Sequence, residues 1–159
     1  GKLHILGGTR INFSMGFRLT LDLNTKFHGM VNDSYKYEVM QKSRGLIFPV
    51  RWNEPFGLSI TESLYCGCPV FGTPYGSLPE LVSRDVGLLS TNSLELSEAM
   101  KDSDNWKPNV CHEYAVENFN SKKMALEYLK IYEEVIGGKV LNLQPPKLIK
   151  KEQKLLPFS

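Results

Sequence analysis

The sequence lacks several features that would assign it to a specialised class of protein. It has only three cysteines in 159 residues, and their odd number and spacing fit neither a disulfide framework nor a zinc site. It has no apolar run long enough to cross a bilayer and no basic leader followed by an apolar stretch. We therefore expect a cytoplasmic protein in which Cys66, Cys68 and Cys111 are buried apolar residues.

Charge and metal ligands are equally sparse. The net charge of +2 is too small to indicate nucleic-acid binding by itself. His4, His28 and His112 lack the spacing of metal ligands, so no metal site is predicted. A lysine cluster from Lys147 to Lys154 could contact an anionic membrane surface, although a solvated terminus explains it more simply.

Short apolar runs alternate with helical patterns through the first ninety residues. The predicted strands are Lys2–Leu6, Thr25–His28, Gly45–Val50, Pro69–Phe71 and Val86–Leu89. The predicted helices run from Asp33 or Ser34 to about Lys42, from Leu58 to Tyr65, from a capping box at Ser77 and Glu80, and then over Leu94–Met100, Val110–Phe119 and Lys122–Ile136. This order predicts an α/β fold, a Rossmann-like parallel sheet with flanking helices, over residues 1–136, followed by a C-terminal extension over residues 137–159.

The segment between the third strand and the following helix has the composition of an anion site. Ligands of such sheets bind at the carboxyl ends of the strands, where this loop is expected. Gly57 lets the backbone approach a ligand closely, and the first helical N–H groups after it have no partner within the helix. Together with the positive end of the helix dipole, these N–H groups would suit a diphosphate.

Two carboxylates flank that site. Glu54 precedes the helix, and Glu62 lies one turn beyond Leu58, about 6 Å along the axis. A carboxylate accepts charge-assisted hydrogen bonds from two neighbouring hydroxyls, so this order suits a sugar, a diphosphate and a ribose. Spacing alone is also compatible with a solvated helix face.

The surrounding motifs are similar to those of one known family. The matching pieces are Glu54-Pro55-Phe56-Gly57-Leu58, Glu62, Cys66-Gly67-Cys68-Pro69-Val70 and Gly76-Ser77-Leu78-Pro79-Glu80. They resemble the retaining glycosyltransferases of family 4, which have the GT-B fold, and in particular their C-terminal nucleotide-sugar-binding domain. The resemblance covers about residues 2–136 and is most specific over 48–82.

The resemblance implies roles for individual residues. Glu54 would be the catalytic residue, acting by positioning the donor sugar, and Glu62 would hold the ribose. The residues implied in donor binding are Glu54, Pro55, Phe56, Gly57, Leu58, Ser59 and Glu62, with Gly29, Met30 and Val31 along the base. The implied donor is a nucleoside diphosphate sugar, UDP-type rather than GDP-type, with no other cofactor and no metal.

The family also has parts that this sequence does not match. Its first strand in this domain, with an Arg and a Lys in the following loop, would precede Lys2. Its N-terminal acceptor-binding domain would also be separate. We therefore expect part of a larger enzyme, inactive by itself, with the sheet's first strand missing. Two alternatives remain open: a non-catalytic nucleotide-binding fragment, and a GT-B epimerase or phosphorylase relative.

Overall fold

The computed structural model describes residues 1–8, 10–12, 18–19, 21–145, 147 and 155–159, with the backbone alone at 11, 12, 18 and 19. The chain divides into two compact units, Gly1–Ser43 and Arg44–Ser159. Most of the predicted lysine cluster, residues 148–154, lies outside the described residues. In the part of the chain that is described, no helix is both long enough and apolar enough to span a bilayer.

The first unit is built on a parallel strand pair. Its strands β1 (Leu3–Leu6) and β4 (Thr25–Gly29) pair in parallel, as the sequence predicts. In the sequence between these two strands is an antiparallel pair that was not predicted, β2 (Ile11–Asn12) with β3 (Arg18–Leu19).

Helix α1 (Asp33–Gln41) completes the first unit and corrects one detail of the prediction. Its N-cap is Asn32 rather than Asp33 or Ser34, because the Asn32 side chain accepts a hydrogen bond from the Tyr35 backbone N–H at 3.0 Å. The helix therefore begins at Asp33, directly after its cap.

The second unit contains a three-stranded parallel sheet with helices in its connections. The strands β5 (Leu46–Phe48), β6 (Val70–Gly72) and β7 (Gly87–Leu89) are adjacent in that order. The connections contain α2 (Leu58–Tyr65) and α3 (Leu78–Leu81). The predicted α/β fold with parallel strands and flanking helices is confirmed.

Three further helices follow the sheet, as predicted. They are α4 (Ser93–Lys101), α5 (Pro108–Asn118) and α6 (Ser121–Ile136), with a short 3-10 turn at Ser103–Asn105. Helix α4 packs against β6 and β7, and α5 packs against α2.

The core of the second unit lies where α2, α3 and α5 cover the sheet. Its buried members are Val50, Ile60, Leu64, Val70, Leu78, Leu81, Val82, Val86, Cys111 and Ala115. Cys68 and Cys111 are buried thiols, and burial raises the pKa of each to about 11, so they behave as apolar side chains. Cys66 is only half-buried, which corrects the expectation that all three cysteines are buried.

Two expectations about side chains are wrong. The positions of Tyr114, Phe119, Tyr128 and Tyr132 on the late helices predict that these aromatic residues belong to the core. Tyr114 and Phe119 do pack against it, but Tyr128 and Tyr132 on α6 are 53% and 55% exposed. The predicted capping box of α3 is also absent, because the Ser77 hydroxyl donates to the Phe56 carbonyl oxygen instead of capping its own helix.

Candidate functional site

The loop that joins β5 to α2 begins at a fixed point. Val50 is buried just beyond β5, and its carbonyl oxygen accepts a short hydrogen bond from the hydroxyl of Thr73. Thr73 is itself fully buried and directly follows β6. The carboxyl ends of two neighbouring strands are thus joined where the loop departs, at the edge of a parallel sheet where ligands bind.

The loop ends at Gly57, which occupies the N-cap position of α2 in a left-handed conformation with φ of 83°. Glycine adopts this conformation without the steric cost that a side chain would add. Gly57 has no side chain, so the N-cap residue itself makes no side-chain capping bond. Leu58, the first residue of the helix, is 70% exposed. The amino end of α2 therefore presents N–H groups and the positive end of the helix dipole to solvent.

A second loop braces the first. The Ser77 backbone N–H donates to the Glu54 carbonyl oxygen at 2.9 Å, and the Ser77 hydroxyl donates to the Phe56 carbonyl oxygen at 2.9 Å. Gly76 lies so close that a Cβ added there would come within 2.3 Å of the Glu54 nitrogen and oxygen. The turn after β6, at Gly76 and Ser77, thus holds the backbone of Glu54 in place.

The two predicted carboxylates lie on either side of this helix start along the chain. Both residues are half-buried, with part of their surface open to solvent. The Trp52 indole N–H donates to one Glu54 carboxylate oxygen at 3.0 Å, which restricts the side chain of Glu54. The structure brings together in the second unit all the predicted site residues from Glu54 to Glu62.

The other predicted site residues, Gly29, Met30 and Val31, lie in the first unit. They follow the carboxyl end of β4, where Gly29 has φ of 66° and its carbonyl oxygen accepts from the Gly7 N–H at 2.7 Å. Met30 is 89% exposed. The loop therefore presents an accessible apolar side chain and backbone atoms beside it.

Sequence reasoning missed one part of the second unit. The C-terminal segment Leu155–Ser159 lies against the residues that follow β5, β6 and β7. Arg51 is held at both its main chain and its side chain: its carbonyl oxygen accepts from the Leu156 N–H at 2.8 Å, and its Nε donates to the Leu156 carbonyl oxygen at 2.7 Å. No local pattern in residues 155–159 signals this docking, because it depends on contacts distant in sequence.

A small imidazole cluster lies in the first unit. His4 Nδ1 and His28 Nε2 are 3.0 Å apart, and the Tyr35 hydroxyl is 2.9 Å from His28 Nδ1. Partial removal from water lowers the pKa of His28, and the charges of Lys26 and then of His4 lower it further. Among the described residues no group of three or more His, Cys, Asp or Glu side chains is arranged to hold a metal ion.

Comparison with known proteins gives the family. The model of the family "Glycosyl transferases group 1" matches residues 2–108, which is most of the chain. The chain belongs to this family. Within the family match lie both predicted groups of site residues, Gly29–Val31 and Glu54–Glu62.

Two relatives of this group 1 chain have curated sequences. An uncharacterised 41.2 kDa protein in the cps region of Klebsiella pneumoniae is 28% identical over 116 residues, which is 69% of this chain and 32% of that protein. A probable sucrose-phosphate synthase from Thermosipho melanesiensis is 30% identical over 102 residues, which is 62% of this chain and 24% of that protein. The chain thus spans about a quarter to a third of their length.

Solved structures support the fold. A sucrose-phosphate synthase from Thermosynechococcus elongatus matches with a TM-score of 0.58 and 22% identity, over 73% of this chain and 31% of that chain. The Anabaena protein HepE, in complex with UDP-glucose, matches with a TM-score of 0.55 and 20% identity, over 72% of this chain and 33% of that chain. The expected α/β fold of a group 1 glycosyl transferase domain is therefore confirmed.

Proposed function

We propose that this chain is the donor-binding part of a glycosyltransferase that moves a sugar from a nucleoside diphosphate sugar to an acceptor with retention. The observation that carries the proposal is the amino end of α2, which has a glycine at its N-cap and is flanked along the chain by Glu54 and Glu62 at the carboxyl edge of a parallel sheet. Support comes from a relative named as a sucrose-phosphate synthase and from a similar fold solved with UDP-glucose. The acceptor-binding domain would belong to the rest of a larger enzyme.

The diphosphate would lie at the amino end of α2. The backbone N–H groups of Leu58 and Ser59 begin the helix and have no partner within it, and the helix dipole adds partial positive charge there. Gly57 adopts the left-handed conformation that glycine favours, and Pro55 restricts the backbone before it. These donors would stabilise the charge that develops on the departing diphosphate, so we expect no metal ion to be needed.

The carboxylates would bind the two ends of the donor. Glu54 would accept hydrogen bonds from sugar hydroxyls, and Glu62 from the two ribose hydroxyls. The base would lie along Gly29, Met30 and Val31, mainly against backbone atoms, and we favour uracil over guanine. As the bond from the anomeric carbon to the diphosphate oxygen breaks, the sugar becomes oxocarbenium-like. Glu54 would act by holding that sugar in place and not as a nucleophile.

Binding to the full 159-residue chain tests this proposal. We expect UDP to bind and Glu62→Ala to weaken it about 10- to 100-fold, since hydrogen bonds to a charged group contribute roughly 1.5–3 kcal/mol. Glu98→Ala removes an exposed carboxylate from α4 and is the matched control, expected to leave affinity unchanged. Calorimetry with UDP, GDP and ADP would measure all three proteins. Equal UDP affinity before and after Glu62→Ala would contradict the ribose assignment.

Turnover separates this proposal from a non-catalytic nucleotide-binding domain. This chain covers only 32% and 24% of its two curated relatives, so a domain that binds a nucleotide without catalysing transfer is a second candidate function. We expect the isolated chain to bind the donor but to release no sugar, and a longer protein that includes the acceptor-binding domain to transfer it. A longer protein that binds UDP-glucose without hydrolysis or transfer would favour the non-catalytic reading.

A further inference from the structure

The C-terminal segment Leu155–Ser159 crosses the carboxyl edge of the second unit's sheet. Leu156 is hydrogen-bonded to Arg51, which follows β5. The carbonyl oxygen of Pro157 accepts from the Tyr75 hydroxyl at 2.5 Å, in the turn after β6. The Ser159 N–H donates to the Thr91 carbonyl oxygen at 2.9 Å, in the connection after β7.

The order of these contacts matches the order of the strands. Moving along the segment from Leu156 to Ser159, the contacts pass from the loop after β5 to those after β6 and β7, which is the strand order of the sheet. The Ser93 N–H donates to the Ser159 carbonyl oxygen at 2.5 Å and extends the last contact to the start of α4. The segment therefore ties together three loops that are separate in sequence, at the edge where ligands of such sheets bind.

Two of the residues that the segment contacts, Arg51 and Tyr75, are close in sequence to residues that contact Glu54. Arg51 is followed by Trp52, whose indole N–H donates to the Glu54 carboxylate. Tyr75 is followed by Gly76, which abuts the Glu54 main chain, and by Ser77, whose N–H donates to the Glu54 carbonyl oxygen. One contact of the segment thus supports the side chain of Glu54 and the other supports its backbone.

We propose that Leu155–Ser159 is a positioning element for the donor site, holding Arg51 and Tyr75 so that Glu54 is preorganised to receive the donor's sugar. This inference rests on the proposed function, because it assigns the sugar to Glu54. Without the segment, the loops that contain Arg51 and Tyr75 lose these contacts. Binding of the sugar must then order both loops, and this cost lowers the affinity for the donor. UDP lacks the sugar, so its binding depends on α2 and Glu62 and is less sensitive to the segment.

The test compares UDP-glucose with UDP as ligands of the full chain, a chain that ends before Leu155, and the variant Tyr75→Phe. We expect the ratio of UDP-glucose affinity to UDP affinity to fall about three- to tenfold in Tyr75→Phe, the effect of one hydrogen bond, and further in the truncated chain. Tyr132→Phe removes a hydroxyl from an exposed tyrosine on α6 and should leave the ratio unchanged. A structural role alone would weaken both ligands equally and keep the ratio constant.

Hydrogen exchange gives a readout that does not depend on any ligand. Truncation should speed amide exchange in peptides covering residues 51–57 and 74–78, while peptides from α5 keep their protection. If the full chain binds neither ligand, the proposed function fails, and the exchange rates still test whether the segment holds the loops. The inference is overturned by an unchanged affinity ratio, by unchanged exchange in these loops, or by tighter UDP-glucose binding after truncation, which would mean that the segment covers the site.

Discussion

At Gly76 the turn after β6 comes into direct contact with the main chain of Glu54. The residue has φ of 63°, and a Cβ there would lie 2.3 Å from two Glu54 backbone atoms. Neither backbone can move away easily, because Ser77 is hydrogen-bonded to both Glu54 and Phe56. A single methyl group added at Gly76 therefore tests whether the two loops of the site are in contact.

Gly76→Ala should therefore destabilise the protein by about 3 kcal/mol or more, since overpacking adds to the cost of a left-handed alanine. The matched control is Gly138→Ala, where φ is also positive, at 89°, but nothing lies within 4 Å of an added Cβ. Gly138→Ala should lower the free energy of unfolding by only about 1–2 kcal/mol, which is the cost of placing alanine in a left-handed conformation. Urea unfolding of both variants would measure the difference. Equal losses would mean that the loops are not in contact.

His28 carries the pH dependence that the structure predicts at the residue scale. Its pKa is lowered from the usual 6.5 by partial removal from water and then by Lys26 and His4. The unfolded chain therefore takes up this proton more readily than the folded one. The contribution of His28 to stability is present above about pH 6.5 and is lost as pH falls through the lower pKa of the folded state.

An NMR titration of the imidazole protons would check this directly. We expect the His28 midpoint to lie below that of the urea-unfolded chain, and Lys26→Met to raise it by removing a nearby positive charge. Lys130→Met on α6 removes an equal charge from the other unit and serves as the control. A His28 midpoint at or above its unfolded value would contradict the prediction.

At the scale of elements, α4 shows how one helix divides its leucines between core and solvent. Leu96 is 3% exposed and Leu94 is 72% exposed, although both belong to the same helix. Helix α4 packs on β6 and β7, and β6 bears one of the two site loops at its carboxyl end. The burial of Leu96 therefore helps to hold the sheet from which the site is built.

Leu96→Ala should cost about 2–5 kcal/mol, the usual range for truncating a buried leucine. Leu94→Ala removes the same atoms from the surface of the same helix and should change stability by no more than about 0.5 kcal/mol. Thermal or urea unfolding of the pair separates burial from helix propensity, because the two substitutions alter propensity alike. Similar losses in both variants would show that α4 is not packed as described.

The elements that the sequence predicted well carry local signals. Helix α2 has helical spacing between Gly57 and a Cys66-Gly67 end, and it was predicted with its observed bounds. Strands β5, β6 and β7 are short apolar runs between turn residues, and their positions were predicted to within a few residues. The loop, the glycine and the helix start of residues 54–62 could likewise be predicted because they are contiguous in sequence, and their role in binding a donor stays a prediction.

The features that were missed depend on partners distant in sequence. The pairing of β2 with β3 involves two residues on each side, too few for a periodic pattern. Ser77 was predicted to cap its own helix, but the carbonyl oxygen of Phe56 competes for its hydroxyl. The docking of residues 155–159 on Arg51, Tyr75 and Thr91 follows from the geometry of the folded sheet, which no local pattern encodes.

At the scale of the whole molecule, α6 differs from the other long helices. None of its 16 residues is buried, and α4 and α5 each bury at least one. Its large apolar side chains nevertheless recur at helical spacing: Met124, Tyr128, Ile131, Tyr132 and Val135. This spacing predicts a core-facing helix, and it explains why Tyr128 and Tyr132 were wrongly expected in the core. In this chain these five side chains form an apolar stripe that is exposed to solvent.

An exposed apolar stripe has a measurable consequence for the 159-residue chain. The native chain should bind the dye anilinonaphthalene sulfonate, which reports on exposed apolar surface. The double substitution Tyr128→Gln and Tyr132→Gln should lower this binding. It should change stability by no more than about 0.5 kcal/mol for each residue, because neither side chain is buried. The control, Lys122→Gln with Glu133→Gln, leaves both the stripe and the net charge intact. A large loss of stability in the tyrosine double variant would mean that α6 is packed in solution, and unchanged dye binding would mean that the dye reports on another surface.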